Sequence, residues 1–275
     1  ARSFGLWLCS FVRPAGRLEL ILFVSVCHGA FYALAGLVST GETLFVLGDL
    51  ANLTDYRTGE GAVATALGIE FAKDTAKARG EGDFDEMRRL WRSHPGDLDQ
   101  VRSSIEGAIA DQYKLMSPVL EGVEGYVIHG NVDRPNHLIK ALPSSFRYVH
   151  GECVEIGGLT FGFAGGGVAT PLQAPGEVTD EEMEETLAGL NDVDVLCTHV
   201  APAIDPLRTD VITGRQERSS DPILRFIRKT QPRLHLFGDI HQPQASRWRI
   251  GATRCVNVGY FRATGRPFRL DPASL

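Results

Sequence analysis

Cysteine is scarce in this sequence, and no two cysteines are spaced as a C-x-x-C pair. Five cysteines are spread over 275 residues. An odd number at wide spacing is typical of reduced thiols and not of a disulfide framework. The pattern argues against a disulfide-stapled secreted domain, and we expect a cytoplasmic protein.

Long apolar runs and an excess of basic residues are missing as well. The apolar stretch at residues 4–12 is too short for a membrane-spanning helix, which takes roughly 20 apolar residues. We interpret it as an apolar extension or a strand, and we expect no membrane partner. Lys and Arg number 28 against 34 Asp and Glu, which gives a net charge of −6. Because an acidic chain gains little from phosphate backbones, we expect no nucleic-acid scaffolding role.

Short apolar runs that end abruptly in polar residues or glycine are the main feature that is present. Five of them are typical of fully buried strands, because they are rich in Val, Ile, Leu and Phe. They lie at 18–24, 43–47, 126–128, 193–197 and 233–237. Between the second and third runs the pattern predicts helices at 62–78, 83–93 and 97–120.

Further short runs after residue 143 predict a second sheet. They lie at 153–156, 159–164, 247–250, 254–260 and 268–270. We therefore predict an α/β fold of two packed mixed β-sheets flanked by helices. The chain is expected to form a single domain over residues 1–275, with a helical insertion at about 53–120. The sequence does not indicate an oligomeric state.

Histidine, aspartate or asparagine follows each of the five buried runs within a few residues. The side chains are His28, Asp49, Asn131, His199, Asp239 and His241. In open α/β sheets ligands bind beyond the carboxyl ends of the strands, so we expect these side chains to meet. Imidazole, carboxylate and amide oxygen together suit Mn, Fe, Zn or Co. One histidine at a strand end is commonly a satisfied polar residue, but five such ends predict a metal centre.

The same residues resemble the motifs of the calcineurin-like metallophosphoesterases. The family motifs are D-x-H-G, G-D, G-N-H-D/E, a strand-end H, and G-H-x-H. Their counterparts here are Val26-Cys27-His28-Gly29, Gly48-Asp49, Gly130-Asn131-Val132-Asp133, Thr198-His199 and Gly238-Asp239-Ile240-His241. Order and strand context match from about residue 18 to residue 262. The resemblance implies a four-layer fold and hydrolysis of a phosphate ester, a small phosphomonoester or phosphodiester such as a nucleotide derivative.

The resemblance also implies two metal sites. Asp49 would bridge them and His28 and His241 would complete the first. The second would be completed by Asn131, His199 and Asp239. Two metals about 3.5–4 Å apart activate a bridging water and hold the phosphoryl oxygens. Asp49, Asn131 and His199 would act in catalysis through that water.

Two departures from the family motifs concern the metal ligands. Val26 stands where the family has the first-site aspartate, and valine cannot bind a metal. Asp239 stands where the family usually has histidine, so one carboxylate is shifted from the first site to the second. We expect a firmly held second metal and a weaker first one.

A third departure concerns the substrate. Val132 replaces the histidine that lies near the leaving group in the family, and losing a general acid costs about 10²–10⁴ in rate. His94 and Arg134 are the candidate substrate-binding residues, and His94 is also the candidate replacement acid. Asp133 is expected to support its neighbours by hydrogen bonds.

Two functions from different classes remain open. The first is a metal-dependent phosphoesterase, whose activity can be reduced by the two valines. The second is a catalytically impaired scaffold of the same fold that holds metal and binds a protein. The surviving ligand-type residues favour the enzyme, and hydrolysis of another kind of electrophile is a further alternative.

Overall fold

The computed structural model describes residues 20–38, 42–170, 173–190 and 192–275. The stretch 4–12, interpreted above as an extension or a strand, lies outside these residues. The strands are β1 (Ile21–Val24), β2 (Thr43–Leu47), β3 (Gly125–Ile128), β4 (Phe146–Tyr148), β5 (Cys153–Ile156), β6 (Leu159–Ala164), β7 (Gly167–Val168), β8 (Glu177–Val178), β9 (Val195–Thr198), β10 (Leu234–Phe237), β11 (Arg247–Ile250), β12 (Thr253–Asn257) and β13 (Phe268–Leu270).

Ten α-helices lie in the same part of the chain. They are α1 (Phe31–Val38), α2 (Ala62–Leu67), α3 (Ile69–Glu81), α4 (Phe84–Ser93), α5 (Leu98–Leu120), α6 (Pro135–Ala141), α7 (Asp180–Ala188), α8 (Asp205–Arg208), α9 (Asp221–Thr230) and α10 (Phe261–Thr264). Each of the five apolar runs forms a strand. The single helix predicted at 62–78 is wrong in one respect, because Gly68 adopts a φ of 92° and separates α2 from α3.

The strands form two large mixed sheets, as predicted. The first has the order β13-β1-β2-β3-β4, and the second has the order β11-β12-β10-β9-β6-β5. The central strands of each sheet are parallel. The short strands β7 and β8 pair separately.

The last strand does not belong to the second sheet, contrary to the prediction for 268–270. β13 runs antiparallel to β1, with Phe23 opposite Phe268. This pairing adds Leu270 to the apolar layer between the sheets. The partner of a short edge strand is fixed by such long-range packing, which the local pattern does not contain.

Alternating side chains of the strands build three apolar layers. In β1, Ile21 and Phe23 face the second sheet, while Leu22 and Val24 face the helices. Helices α1 and α5 cover the first sheet, and α7 and α9 cover the second. The result is a four-layer helix–sheet–sheet–helix arrangement.

The insertion predicted at about 53–120 is helical over α2 to α5. Helix α5 buries Ile105, Ile109, Tyr113 and Met116 in the layer against the first sheet. The division of the chain into one domain with an insertion stays a prediction. None of the helices within the described ranges is both long enough and apolar enough to cross a membrane.

Candidate metal centre

The six predicted ligands lie on loops that follow strands of both sheets. His28 follows β1, Asp49 follows β2 and Asn131 follows β3, in the first sheet. His199 follows β9, and Asp239 and His241 follow β10, in the second sheet. The loops of the two sheets touch, because an added Cβ on Gly238, after β10, would meet Ser25 Oγ, after β1, at 1.9 Å. Within the second sheet, Gly238 N donates to the His199 carbonyl.

The backbone of these loops is turned sharply at the ligands themselves. His28, Asp49 and Asp239 have positive φ values of 40°, 57° and 64°, and Val26 has a φ of 56°. Left-handed backbone is uncommon outside glycine and is an outlier for a β-branched residue. Such conformations persist where the surrounding structure enforces them, commonly at functional sites.

Two glycines allow the loops to approach each other. A Cβ on Gly48 would lie 2.6 Å from both Gly130 N and His199 Nδ1, and one on Gly130 would lie 2.2 Å from Asp49 Oδ1. Any side chain at either position would separate Asp49 from His199. The glycines in the G-D and G-N motifs are therefore required by packing.

Three of the predicted ligands converge on one point. His199 Nε2 lies 3.4 Å from Asp49 Oδ1 and 3.6 Å from Asp239 Oδ1. Ligand atoms of these three residues all lie within 4.8 Å of one another. His199 Nδ1 donates to the Leu47 carbonyl at 2.8 Å, which leaves Nε2 with its lone pair facing the carboxylates. A hydrogen bond on the far nitrogen is how metal-binding histidines are oriented.

The amide of Asn131 completes this group with an oxygen. Its Oδ1 lies 3.1 Å from His199 Nε2, an acceptor facing an acceptor. Turning the amide over would place its nitrogen 3.1 Å from His199 Nε2 and 3.3 Å from both Asp49 oxygens. Without a cation the amide nitrogen fits this position, and with a cation the oxygen fits it. Two carboxylates, an imidazole nitrogen and an amide that can present its oxygen together match the ligand set of a divalent ion.

His28 and His241 lie on the other side of Asp49. His28 Nε2 is 3.8 Å from Asp49 Oδ2, and the rings of His28 and His241 have centroids 5.5 Å apart. His28 Nδ1 donates to the Ala51 carbonyl at 3.0 Å, so its Nε2 also carries a lone pair toward Asp49. Val26 is buried beside this half, and its side chain adds no ligand. The half of the centre around His28 and His241 therefore has fewer oxygen ligands than the half around Asn131, His199 and Asp239.

Burial and the charges of the centre shift the pKa values of three of its side chains. The pKa of Asp239 is raised to about 6, mainly by burial; His199 opposes this rise and the nearby Asp49 adds to it. Burial alone lowers the pKa of His199, but the carboxylates of Asp49 and Asp239 outweigh it and raise that pKa. Burial and the neighbouring His28 lower the pKa of His241 to about 4. A cation would relieve the repulsion between the two carboxylates.

Asp133 supports the ligand loops, as predicted. Its carboxylate is fully buried and accepts hydrogen bonds from Asp49 N and Gly130 N at 2.8 Å. It also accepts from Leu50 N and Ala51 N at 3.0 Å. Burial and Asp49 raise the pKa of Asp133, and these hydrogen bonds oppose that rise. The G-N and G-D loops are thus held together through one carboxylate.

Two tyrosines that contact residues of the metal centre could not be identified from the sequence. The Tyr113 hydroxyl on α5 donates to Asp133 Oδ1 at 2.9 Å and accepts from Arg134 N. The ring of Tyr260 stacks on His241 with centroids 4.1 Å apart. A tyrosine on an apolar helix face or after a strand is ordinary, so neither contact follows from local sequence.

The two candidate substrate-binding residues, Arg134 and His94, contact other residues of the fold. Arg134 is 8% exposed, and its guanidinium bonds Glu106 and the Val132 carbonyl. His94 contacts the ring of Phe71 and accepts from Gly96 N. Neither set of contacts includes a ligand of the centre, and substrate binding by these residues stays a prediction.

Two solved structures share the fold over nearly the whole chain. One matches 93% of this chain and 96% of its own at 18% identity, with a TM-score of 0.62. The other is the protein TT1561 of Thermus thermophilus, matching 93% of this chain and all of its own at 15% identity, with a TM-score of 0.50. A protein of Streptococcus pneumoniae described as a predicted phosphoesterase is more distant, with 12% identity, coverage of 89% and 74%, and a TM-score of 0.32.

No protein-family model and no curated protein matches this sequence. The predicted four-layer α/β fold is confirmed by the two mixed sheets and their flanking helices. At these identities the likeness concerns the fold alone.

Proposed function

We propose that this chain is a metal-dependent hydrolase of a small phosphate ester. The observation that carries the proposal is the convergence of Asp49, His199 and Asp239, with the side-chain amide of Asn131 beside the same point. A divalent ion, when bound, supplies Lewis-acid activation of water and stabilises charge on the phosphoryl oxygens. The proposed substrate is a phosphomonoester or phosphodiester, and the ion is Mn, Fe, Zn or Co.

The proposed ligands form two ion sites, one on each side of Asp49. Asn131, His199 and Asp239 hold the firmly bound ion together with Asp49. His28 and His241 serve a weaker site on the opposite side of Asp49, because Val26 brings no carboxylate there. Asp49, Asn131 and His199 are the proposed catalytic residues, since they fix the reacting centre through their ligand atoms.

Three of the ligands, His199, His28 and Asp49, are held in place by hydrogen bonds that need no ion. The carbonyls of Leu47 and Ala51 accept from His199 and His28 and fix their tautomers. Val132 N donates to Asp49 Oδ1 at 3.2 Å, which keeps that carboxylate between the two halves. Preorganised groups of this kind need little rearrangement during reaction.

Hydrolysis of bis(p-nitrophenyl) phosphate with added Mn²⁺ tests the proposal. We expect turnover that a chelator abolishes and that His199→Ala reduces at least 100-fold, because the variant lacks a ligand of the firmly bound ion. His137→Ala, on the half-exposed surface of α6, is the matched control and should retain wild-type turnover. Chelator-insensitive turnover, or equal activity in both variants, would contradict the proposal.

The impaired scaffold is the second candidate, and two buried or half-buried valines favour it. Val26 removes an oxygen ligand, and Val132 removes a side chain able to protonate a leaving group. Metal binding without turnover of any phosphate ester, in both the wild type and Val26→Asp, is the outcome that this candidate predicts.

A further inference from the structure

One segment that follows β12 contacts both histidines of the weaker ion site, His28 and His241. The ring of Tyr260 stacks on the His241 imidazole, with centroids 4.1 Å apart and an angle of 19° between the planes. The same ring meets the His28 imidazole edge to face, with centroids 6.3 Å apart. Because His28 follows a strand of the first sheet and His241 follows a strand of the second, Tyr260 bridges the two ligand loops.

The segment is anchored to the loop of His241 through Asn257, the last residue of β12. Asn257 Nδ2 donates to the Ile240 carbonyl at 2.9 Å. Its Oδ1 accepts from Gly259 N at 2.8 Å, and Gly259 turns the chain with a φ of 101°, a conformation that favours glycine. The chain thereby folds back, and Tyr260 comes to lie over the His241 ring.

The other end of the segment is anchored to the loop of His28. Phe261 N donates to the Ser25 carbonyl at 3.1 Å, and Arg262 N donates to the Val26 carbonyl at 3.2 Å. The Arg262 guanidinium also donates to the His28 carbonyl. The backbone that presents His28 is therefore held by hydrogen bonds from this segment.

The Arg262 side chain is itself fixed by Asp55. Asp55 Oδ2 accepts from Arg262 Nη2 at 2.5 Å, and Asp55 Oδ1 accepts from the backbone N–H groups of Arg57 and Thr58. Both side chains are largely buried, with 24% of Arg262 and 11% of Asp55 exposed. Because Asp55 compensates its charge, the guanidinium can lie beside an ion site with little repulsion of the ion.

The weaker site depends on such contacts because it has few anionic ligands. Val26 brings no carboxylate, so the site consists of His28, His241 and the shared Asp49. The hydrogen bonds that Asp133 accepts among the described residues do not come from the loop of either histidine. The affinity of this site is therefore sensitive to how the two imidazoles are held.

We propose that Tyr260 and Arg262 are positioning residues that hold His28 and His241 at the separation that the weaker ion site requires. Tyr260 holds the His241 ring, and Arg262 holds the backbone of His28. Neither residue contacts the ion or the substrate in this assignment. The inference rests on the proposed function, whose second ion site it explains.

A Mn²⁺ titration tests the assignment without any measurement of activity. The protein is loaded with Mn²⁺ and desalted, so that the firmly held ion stays bound, and the electron paramagnetic resonance signal of free Mn²⁺ then reports binding to the weaker site. Tyr260→Leu and Arg262→Gln should each raise the Kd of the weaker site about tenfold, since losing the support of a metal-binding histidine costs about 10- to 100-fold in affinity. Tyr260→Phe should keep the wild-type Kd because the stacked ring is retained, and Arg262→Lys should give an intermediate Kd.

Two exposed residues provide matched controls. Tyr32→Leu, 99% exposed on α1, and Arg266→Gln, exposed after α10, should leave the Kd of the weaker site unchanged. The firmly held ion is counted in every variant by mass spectrometry and should stay at one per chain. A merely structural role would weaken both ion sites, whereas a positioning role weakens only the site of His28 and His241.

The outcomes separate this inference from the proposed function. If the wild type retains no ion at all, the proposed function fails. If it holds one ion but binds no second, or if Tyr260→Leu and Arg262→Gln bind the second ion as tightly as the wild type, the positioning role is overturned while the hydrolase remains. If either variant loses the firmly held ion as well, the segment supports the fold as a whole and the positioning role is again overturned.

Discussion

The carboxylate of Asp49 is the single group that both halves of the centre share. Its Oδ1 faces His199 and its Oδ2 faces His28, while Asp133 holds its backbone N–H. A cation on the Asp239 side compensates two carboxylates, whereas one on the His28 side shares only Asp49. This difference underlies the expected order of affinity of the two sites.

Val26→Asp tests the weak half at the level of one residue. Aspartate tolerates the φ of 56° at this position better than valine does, so the backbone favours the exchange. A further buried carboxylate near Asp49 should destabilise the metal-free protein by about 3–5 kcal/mol, because its charge is uncompensated. With Mn²⁺ present, the number of retained ions should rise from one to two per chain. Thermal unfolding with and without Mn²⁺, together with metal analysis, measures both effects.

The control for that exchange is Val26→Asn, which has a similar size and no charge. It should give a smaller loss of stability without metal and a smaller gain with metal. A Val26→Asp protein that retains no additional ion would show that this half is not a metal site.

His235 offers a test of pH dependence away from the ligands. The Thr198 hydroxyl donates to the Val200 carbonyl, so His235 Nε2 donates to that hydroxyl at 2.8 Å. The buried Nδ1 has no hydrogen-bond partner among the described residues. Burial lowers the pKa of His235 to about 3. The folded protein therefore holds this imidazole in its neutral form.

The sign of the pH effect follows from that shift. Above the unfolded-state pKa, about 6.5, this contribution to stability is fully present, and it is lost as the pH falls toward 3. Between pH 6 and pH 3.5 the free energy of unfolding should fall less steeply with pH in His235→Gln than in the wild type. The two slopes should differ by up to about 1.4 kcal/mol per pH unit. Urea unfolding over this range, with His137→Gln as the control for loss of an imidazole, measures the slope. An unchanged slope would contradict a buried neutral His235.

At the scale of elements, hydrogen bonds connect helix α5 to the loops of the metal centre. Its Tyr113 hydroxyl links Asp133 to the backbone of Arg134, at the start of α6. Two other contacts run between α5 and the G-D loop, because Gln112 Oε1 accepts from Asn52 N and Gln112 Nε2 donates to the Asn52 carbonyl. Helix α5 therefore positions the ligand loops as well as covering the first sheet.

Tyr113→Phe tests this connection. The variant removes one of the five donors to the buried Asp133 carboxylate and leaves the buried Arg134 N without the Tyr113 acceptor, which costs about 1–3 kcal/mol. We expect a lower thermal midpoint and weaker retention of metal, since Asp133 also holds the Asp49 loop. Tyr32→Phe is the matched control because Tyr32 is 99% exposed. Equal midpoints for the two variants would contradict the connection.

The elements around the site could be predicted because their signals are local. Strand β2 is a continuous apolar run that ends at Gly48, and the residue after the turn is a ligand. The partner of β13 and the link between Tyr113 and Asp133 join residues far apart in the sequence, so no local pattern contains them. The break at Gly68 was missed because one glycine within a helical pattern is commonly tolerated.

At the scale of the whole molecule, the centre joins the two sheets. The first sheet brings His28, Asp49 and Asn131, and the second brings His199, Asp239 and His241. An ion bound between them contacts only the folded state, because the ligands are dispersed along the unfolded chain. Binding should therefore stabilise the fold as a whole, by an amount that grows with ion concentration.

The most direct test of this account is the number of metal ions that the protein retains after Mn²⁺ loading and desalting, measured by mass spectrometry. The account predicts one firmly held ion per chain in the wild type and none in His199→Ala, with one still present in His241→Ala because that residue serves the weaker half. A wild type that retains no ion, or a His199→Ala protein that retains as much as the wild type, would contradict it.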